Sequence, residues 1–429
     1  MLTFPTPVQN RASAGNKVIV AQLGSRQDYT VPIAFQTLGC LERFYTDTYF
    51  NPWEARSLRQ LERFKPLRQL AHRCLSRSNS ALDSGRVARL NLFGLRYLHA
   101  LQTATSKQAH YQAYIDYGQA FNQIILQKGL PEASHLYAFD HAALSLFELG
   151  RSRGMHCVLD QIYPALYAER MEHEEEQRWQ GWSRHPQTTF YESPIFQRWC
   201  DIQQQEWQLA DTILVASSYS YRAIAATVPE VTEKLHIVPL TVNLEAYCPY
   251  QHIRQFKGDR PLRVLFVGKV NLLKGIPYLL QALQSLDPQI AELTIAGECQ
   301  LQAEKLAPFQ DRASFLGAVP HTQIPQIYHD ADVLVFPTIS DGFGAVLLEA
   351  MATGLPVIAT DRCADLVEDG VNGRRIPIRE PEAIAEAIRQ LWQQPEQLTH
   401  LSEGAIATSQ QFSLAHYQSR LIGALRLGS

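Results

Sequence analysis

The stretch TISDGFGAVLLEAMATGLPVIAT, residues 338–360, sets two carboxylates, Asp341 and Glu349, around a glycine-containing turn and an apolar run. The pattern predicts a strand ending at Phe336–Pro337, a loop holding Gly342 and Gly344, and a helix beginning near Ala345. The first amides of such a helix lack intrahelical partners and lie at the positive end of its dipole. They form a ready site for a phosphate, and the glycines let a ligand come close to the backbone. Glu349, about one turn into the helix, can accept two hydrogen bonds from a vicinal diol such as a ribose. An acid favoured only by the dipole is the alternative, though the flanks Leu347, Leu348, Ala350 and Met351 argue against a freely solvated face. A second stretch, VLFVGKVNLLKG, puts Lys269 and Lys274 on a strand-to-helix loop. Each lysine alone is weak evidence. Combined with the glycine loop they describe a clamp for a nucleoside diphosphate.

These groups need a scaffold, and the rest of the chain reads as one. Short β-branched runs alternate with longer helical patterns: KVIVAQL, HLYAFD, MHCVLD and DTILVAS in the first half, LRVLFVG, ELTIAGE, DVLVFP and LPVIAT in the second. This rhythm predicts an α/β chain of two doubly wound parallel sheets facing a cleft. Ligands of open parallel sheets bind beyond the C-terminal ends of the strands, so the loops above should line that cleft. The expected division is a first Rossmann-like domain over residues 1–240, a second over 241–408, and a final helix over 409–429 packing back toward the first. The polar, proline-bearing segment VPLTVNLEAYCPYQHIRQFKGDRP reads as the linker. With 429 residues the chain is too long for one ordinary core and suits two.

Residues 52–96 differ from the rest. Ten basic residues, Arg56, Arg59, Arg63, Lys65, Arg68, Arg73, Arg77, Arg86, Arg89 and Arg96, face only Glu54, Glu62 and Asp83, with apolar residues interleaved. This reads as part of a basic helical insertion, about 52–125, that suits either an anionic membrane surface or a solvated helix face. The formal net charge of -3 gives no footprint for nucleic acid. The seven scattered cysteines form no C-x-x-C pair and read as reduced thiols. Pro5 and Pro7 stand where a signal peptide needs an apolar run, and no stretch of ~18 apolar residues suggests a membrane span. A cytoplasmic protein, touching the inner face of a membrane at most peripherally, is the resulting expectation. The string DAD, Asp330–Asp332, reads as a helix end entering a strand rather than as a metal site.

From about Val238 to Glu386 the chain resembles the donor domain of retaining GT-B glycosyltransferases of family 4, a group that includes sucrose-phosphate synthases and mannosyltransferases. The resemblance rests on VPLTVNLEAY, VLFVGKVNLLKG, LTIAGE, the segment from SFLGAVPHTQ through DGFGAVLLEAMATGLPVIATD, and LVEDGVNGRRIPIREPEAIAEAI, in this order. The first half is similar in rhythm only. The resemblance implies that Glu349 holds the ribose and that Asp341, at the first acidic position of the family's E-x7-E motif, lies near the donor sugar. It implies that the amides of Gly342, Phe343 and Gly344 meet sugar hydroxyls, and those of Val346 and Leu347 the distal phosphate. Lys269 and Lys274 would hold the diphosphate, and the base would rest near Gly297–Cys299 and the backbone around Val319. His141 stands near the family's catalytic-site histidine. Gly24 lies where paired glycines often face the phosphates, and Arg26 adds charge there. The co-substrate implied is a UDP-, GDP- or ADP-sugar, with no metal and no other cofactor, and the acceptor is a glycan, lipid or small molecule. Several positions depart from the pattern: Asp341 for Glu, Lys269 for Arg, Thr241 and Asn243 for Gly and Asp, and Arg362–Cys363 for a glycine pair. These departures leave open a degenerate, non-catalytic binding protein; a nucleotide-sugar epimerase fits the basic first half less well.

Overall fold

A computed structural model of the chain describes residues 15–61, 74–75, 77–163, 165–186 and 190–427. Two parallel sheets carry the architecture. The first has the strand order β3-β2-β1-β4-β5-β6-β7, and the second has β10-β9-β8-β11-β12-β13. The first comprises β1 Val18–Gln22, β2 Leu41–Thr46, β3 Val87–Arg89, β4 His135–Phe139, β5 His156–Gln161, β6 Thr212–Val215 and β7 Leu235–Ile237. The second comprises β8 Leu262–Val267, β9 Ala291–Ala296, β10 Ala313–Gly317, β11 Val333–Phe336, β12 Val357–Thr360 and β13 Gly373–Ile376. Every strand pairing between them is parallel. Helices cover both faces, which is why β1 and β11 are buried at every position instead of alternating.

In each sheet the strand order reverses once, between β1 and β4 and between β8 and β11. Such reversal points open crevices at the strands' C-terminal ends. The loops there hold Gly24 and His141 in the first sheet, and Lys269, Lys274 and the Gly342–Gly344 turn in the second. The topology thus sets the residues singled out by chemistry at the two crevices.

Two segments, the linker and the insertion, behave differently from their sequence reading. The supposed linker is part of the second domain's core: Tyr247 and Phe256 lie in its hydrophobic cluster, and Arg254 is 1% exposed. The Arg254 guanidinium donates to the carbonyls of Ala331 at 3.2 Å and Tyr328 at 2.5 Å, and to that of Thr353. A polar composition disguises this because the polar atoms serve helix ends rather than solvent. The insertion is not wholly helical: its Val87–Arg89 pairs with Phe44–Thr46 as the edge strand β3. Its basic residues are not one stripe either. Arg77 turns inward to Asp47 at 3.5 Å and Arg89 pairs with Glu54, while Arg56, Arg86 and Arg96 are exposed. Residues 62–73 of the basic stretch lie outside the described residues. The helix Leu414–Leu425 buries Tyr417, Leu421 and Leu425 against Val18, Phe35 and Tyr137 of the first domain.

The loop after β4 is held from behind by Glu206 on the helix Pro194–Leu209. Its buried carboxylate accepts from the amides of His141 at 2.7 Å, Ala143 at 2.8 Å and Leu144 at 3.1 Å. This cap lets His141 keep φ at 62°, a left-handed conformation costly for a residue with a Cβ. Burial pushes the Glu206 carboxyl up to about 8, against the pull of the three amides.

Two predictions follow from this packing. Arg254→Leu strands three buried carbonyls and lowers stability by on the order of 3 kcal/mol, read by urea unfolding followed by circular dichroism. A variant within 0.5 kcal/mol, roughly the noise for an indifferent site, contradicts the role given to Arg254. For Glu206 the folded value lies above the unfolded one, so the folded state binds the extra proton. Its contribution is present below the ordinary carboxyl range and is lost as pH rises through about 8. Glu206→Gln therefore flattens the loss of stability between acidic and mildly alkaline pH; an unchanged slope is the contrary result.

Candidate active site

The helix Ala345–Ala352 begins right after the glycine turn, with Gly344 in the left-handed region at φ 74°. No side chain caps it at that residue. Instead Asp341 reaches forward, and its Oδ1 accepts from the amides of Phe343 at 3.0 Å and Gly344 at 2.8 Å. Its other oxygen pairs with the Lys274 ammonium, which also donates to the Ser340 carbonyl at 3.3 Å. Burial pushes the Asp341 carboxyl up, but Lys274 and the two amides outweigh it and hold the group below the usual carboxylate range. Asp341 and Lys274 thus form one unit at the mouth of the helix. The amides that the sequence offers to sugar hydroxyls at Phe343 and Gly344 are engaged by Asp341 in this state. Val346 is half-buried and Leu347 buried in the first helical turn.

Glu349 sits deeper. Its Oε2 accepts from the Tyr328 hydroxyl at 2.9 Å, and burial raises its pKa. Tyr328 is fully buried, so it fixes the Glu349 rotamer from the core side. Lys269, after β8, is exposed. Its neighbour Gly268 lies so close to Gly297 that a Cβ on Gly297 would meet the Gly268 carbonyl at 1.7 Å. Beside that contact, Gly297 and Cys299 line a cavity of about 210 Å³. Val319 is half-buried just past the end of β10.

The first domain meets this loop directly. The hydroxyls of Ser217 and Ser220 donate to the Gly342 carbonyl at 2.8 and 3.2 Å. The Tyr219 hydroxyl donates to Ser340 Oγ at 2.7 Å, and the Ser218 amide to Asp365 at 2.7 Å. A Cβ on Gly342 would meet the Ile162 carbonyl at 2.2 Å, so only glycine permits this approach of the two domains. None of these partners carries a sequence signal: serines after a strand are ordinary helix caps, which Ser217 also is.

Across the cleft, Arg26 donates to Asp140 Oδ1 at 2.8 Å and lies over the Phe139 ring. The Gly24 amide donates to Asp47 Oδ1 at 2.8 Å. The His141 ring stacks on Trp199, with centroids 3.3 Å apart and planes 14° from parallel. Its Nδ1 faces Asp140 at 3.5 Å, while its Nε2 is buried without a hydrogen bond. Burial lowers the His141 pKa against the pull of Asp140. A neutral imidazole with an open nitrogen can accept or donate one hydrogen bond. Neither Trp199 nor Asp140 beside this ring carries a signal in the sequence: Trp199 comes from the distant helix Pro194–Leu209, and an aspartate just past a strand is ordinary. In the DAD string, Asp332 accepts from Arg260 and from the Arg263 amide at 2.8 Å, so its oxygens serve the start of β8.

Residues 261–394 match the family model described as Glycosyl transferases group 1. D-inositol 3-phosphate glycosyltransferase of Xylanimonas cellulosilytica is 30% identical over 201 residues, covering 42% of this chain and 48% of that protein. Alpha-D-kanosaminyltransferase of Streptomyces kanamyceticus is 31% identical over 179 residues, 39% of this chain and 46% of that protein. The chain thus spans about half the length of the curated relatives it matches. Among solved structures, sucrose-phosphate synthase from Thermosynechococcus elongatus superposes with TM-score 0.63 at 18% identity, covering 96% of this chain and 100% of that one. Anabaena HepE in complex with UDP-glucose superposes with TM-score 0.58 at 14% identity, over 96% and 99%. The fold is GT-B, two Rossmann-like domains across a cleft, and the sequence likeness to group 1 glycosyl transferases is carried by the second of them.

Proposed function

We propose that the protein is a retaining glycosyltransferase that moves a sugar from a nucleoside diphosphate to an acceptor seated on the first domain. The observation that carries this is the joint placement of Asp341, Lys274, the helix start and Glu349 at one crevice, whose loop the first domain holds at Gly342. The solved neighbour bound to UDP-glucose has the same fold, which supports a nucleotide sugar as donor.

In this reading Glu349 accepts from the ribose hydroxyls, and Tyr328 keeps it aimed. The diphosphate lies on the helix start, with Lys274 swinging from Asp341 to the phosphates and Lys269 on the open side. Preorganised amides and ammonium groups then stabilise the charge that develops as the anomeric C–O bond breaks. The departing phosphate oxygen takes the acceptor proton on the same face, so the new bond keeps the anomeric configuration. Release of Asp341 from Lys274 lets the carboxylate and the Phe343 and Gly344 amides turn to the sugar. His141, neutral and with Nε2 open, donates to or accepts from a sugar hydroxyl. Water is excluded by the close domain contact at Gly342. The helix dipole and the lysines neutralise the diphosphate without a divalent ion.

A second reading is a non-catalytic nucleotide-sugar binder. It draws on the mutual satisfaction of Asp341 and Lys274, which leaves neither group free in the state described. A surface role for residues 52–96 draws on the exposure of Trp53, 65% accessible, of Leu92 and Leu95, and of Arg56 and Arg96. Among the described residues no helix is long and apolar enough to cross a membrane.

A thermal-shift panel of UDP-, GDP- and ADP-sugars identifies the donor, since a ligand bound to the native state raises its apparent stability. With that donor, Lys274→Ala and Glu349→Ala each lower turnover at least ~100-fold, the scale of a lost charged transition-state contact. Near wild-type rates in both would sink the assignment, and binding of a donor without its turnover, whatever acceptor is supplied, favours the second reading. Activity is expected to persist in EDTA; loss reversed by Mg²⁺ or Mn²⁺ contradicts the metal-free mechanism.

A further inference from the structure

The segment between β5 and β6 leaves the first domain, crosses the cleft and returns. Its helix Ala165–Arg178 is gripped on both sides. On the first-domain side, the Lys107 ammonium donates to Glu169 at 2.6 Å and Glu172 at 2.7 Å. On the second-domain side, Arg379 donates to Glu175 at 2.6 Å and Glu174 at 2.9 Å, and the Tyr278 hydroxyl donates to Glu175 at 2.6 Å. The Glu175 side chain is fully buried by these partners. Beyond the helix, Trp179 packs edge-on against Tyr278 with centroids 5.2 Å apart. The chain then runs antiparallel to the loop after β9. The Gln302 amide donates to the Trp182 carbonyl at 2.7 Å, the Arg184 amide to the Gln300 carbonyl at 2.9 Å, and Ser183 bridges Leu301. Backbone pairing at this point fixes where the next side chain falls.

That side chain is Arg184. Its Nε donates to the Leu301 carbonyl at 2.7 Å, which orients the guanidinium. Arg184 then lines the cavity of about 210 Å³ whose other walls include Val270, Gly297, Cys299, Phe315 and Gly317. The cavity lies at the C-terminal ends of β8, β9 and β10, the place where a nucleobase falls in the reading above. Apart from the Gln310 amide its other walls are apolar or small side chains and backbone, so among the described residues Arg184 is the one charged side chain on it. A guanidinium has N–H donors and no acceptor. It pairs with base edges that present carbonyl oxygens and is poorly matched to an edge that presents an amino group.

The geometry points to Arg184 as a base-reading residue, carried to the second domain's nucleotide site by a strap from the first and selecting a carbonyl-edged base, uracil or guanine. This rests on the nucleotide-sugar reading. It makes base recognition a property of both domains, because the latch of Arg379 on Glu174 and Glu175 holds the strap that positions Arg184.

Isothermal titration of the full chain with UDP, GDP, ADP and inorganic pyrophosphate tests it. The wild type binds UDP or GDP more tightly than ADP. Arg184→Ala weakens that preferred nucleotide at least about tenfold, the scale of a lost charge-assisted hydrogen bond, and leaves pyrophosphate unchanged. Arg379→Gln, which loosens the strap without touching the cavity, shifts the nucleotide in the same direction and again spares pyrophosphate. Equal affinity of Arg184→Ala and wild type for the preferred nucleotide overturns the inference, as does an equal loss for pyrophosphate or a wild type that binds ADP as well as UDP and GDP. A wild type that binds none of the three nucleotides overturns the nucleotide-sugar reading itself.

Discussion

The backbone of Gly342 is the point at which the two domains become one site. Its carbonyl takes two serine hydroxyls from the first domain, and its Cα lies against the Ile162 carbonyl where no Cβ fits. An unpartnered buried carbonyl is costly, so the Ser217 and Ser220 hydroxyls hold the loop as well as the domains. Everything proposed for the donor side is tied to this contact. Asp341 and the helix start flank Gly342 in sequence, and Lys274 reaches them from the neighbouring loop.

The two acids of the opening stretch differ because their surroundings differ. Asp341 meets an ammonium and two amides, which favour its charge; Glu349 meets the Tyr328 hydroxyl, whose pull its burial outweighs, so its pKa is raised. The short arm of Asp341 also acquires a physical meaning. At that length a carboxylate reaches the amides two and three residues ahead and caps the helix from just outside it, as Asn and Asp do in turns. On the opposite wall, the same economy appears at His141, whose strained backbone is held by Glu206 and whose ring is held by Asp140 and Trp199. Such strain persists only where the surroundings over-determine it, and it clusters at sites that act on ligands.

Much of the scaffold was legible in the residues alone. The βαβ rhythm announced two parallel sheets because fully covered strands read as near-continuous apolar runs, as VIVA of VIVAQ and VLVF do. The turn, helix start and lysine loop near residues 338–349 and 269–274 were legible because each is a local pattern, set by glycine freedom and by the unpaired amides of a helix. The two ends of the linker reading and the inward turn of Arg77 and Arg89 were not, since composition records polarity but not which polar groups find partners inside.

By itself, then, the sequence determined the two doubly wound units, the places where their strands end, and the residue types brought to those ends. These follow from short-range periodicity and backbone chemistry. Only the tertiary structure decided that Asp341 answers Lys274, that Tyr328 aims Glu349, that serines 125 and 122 residues away seize Gly342, and that a strap brings Arg184 to the far domain. Those pairings join positions far apart in the chain. Their partners are ordinary serines, tyrosines and arginines, and distance in space, not residue type, gives them their role.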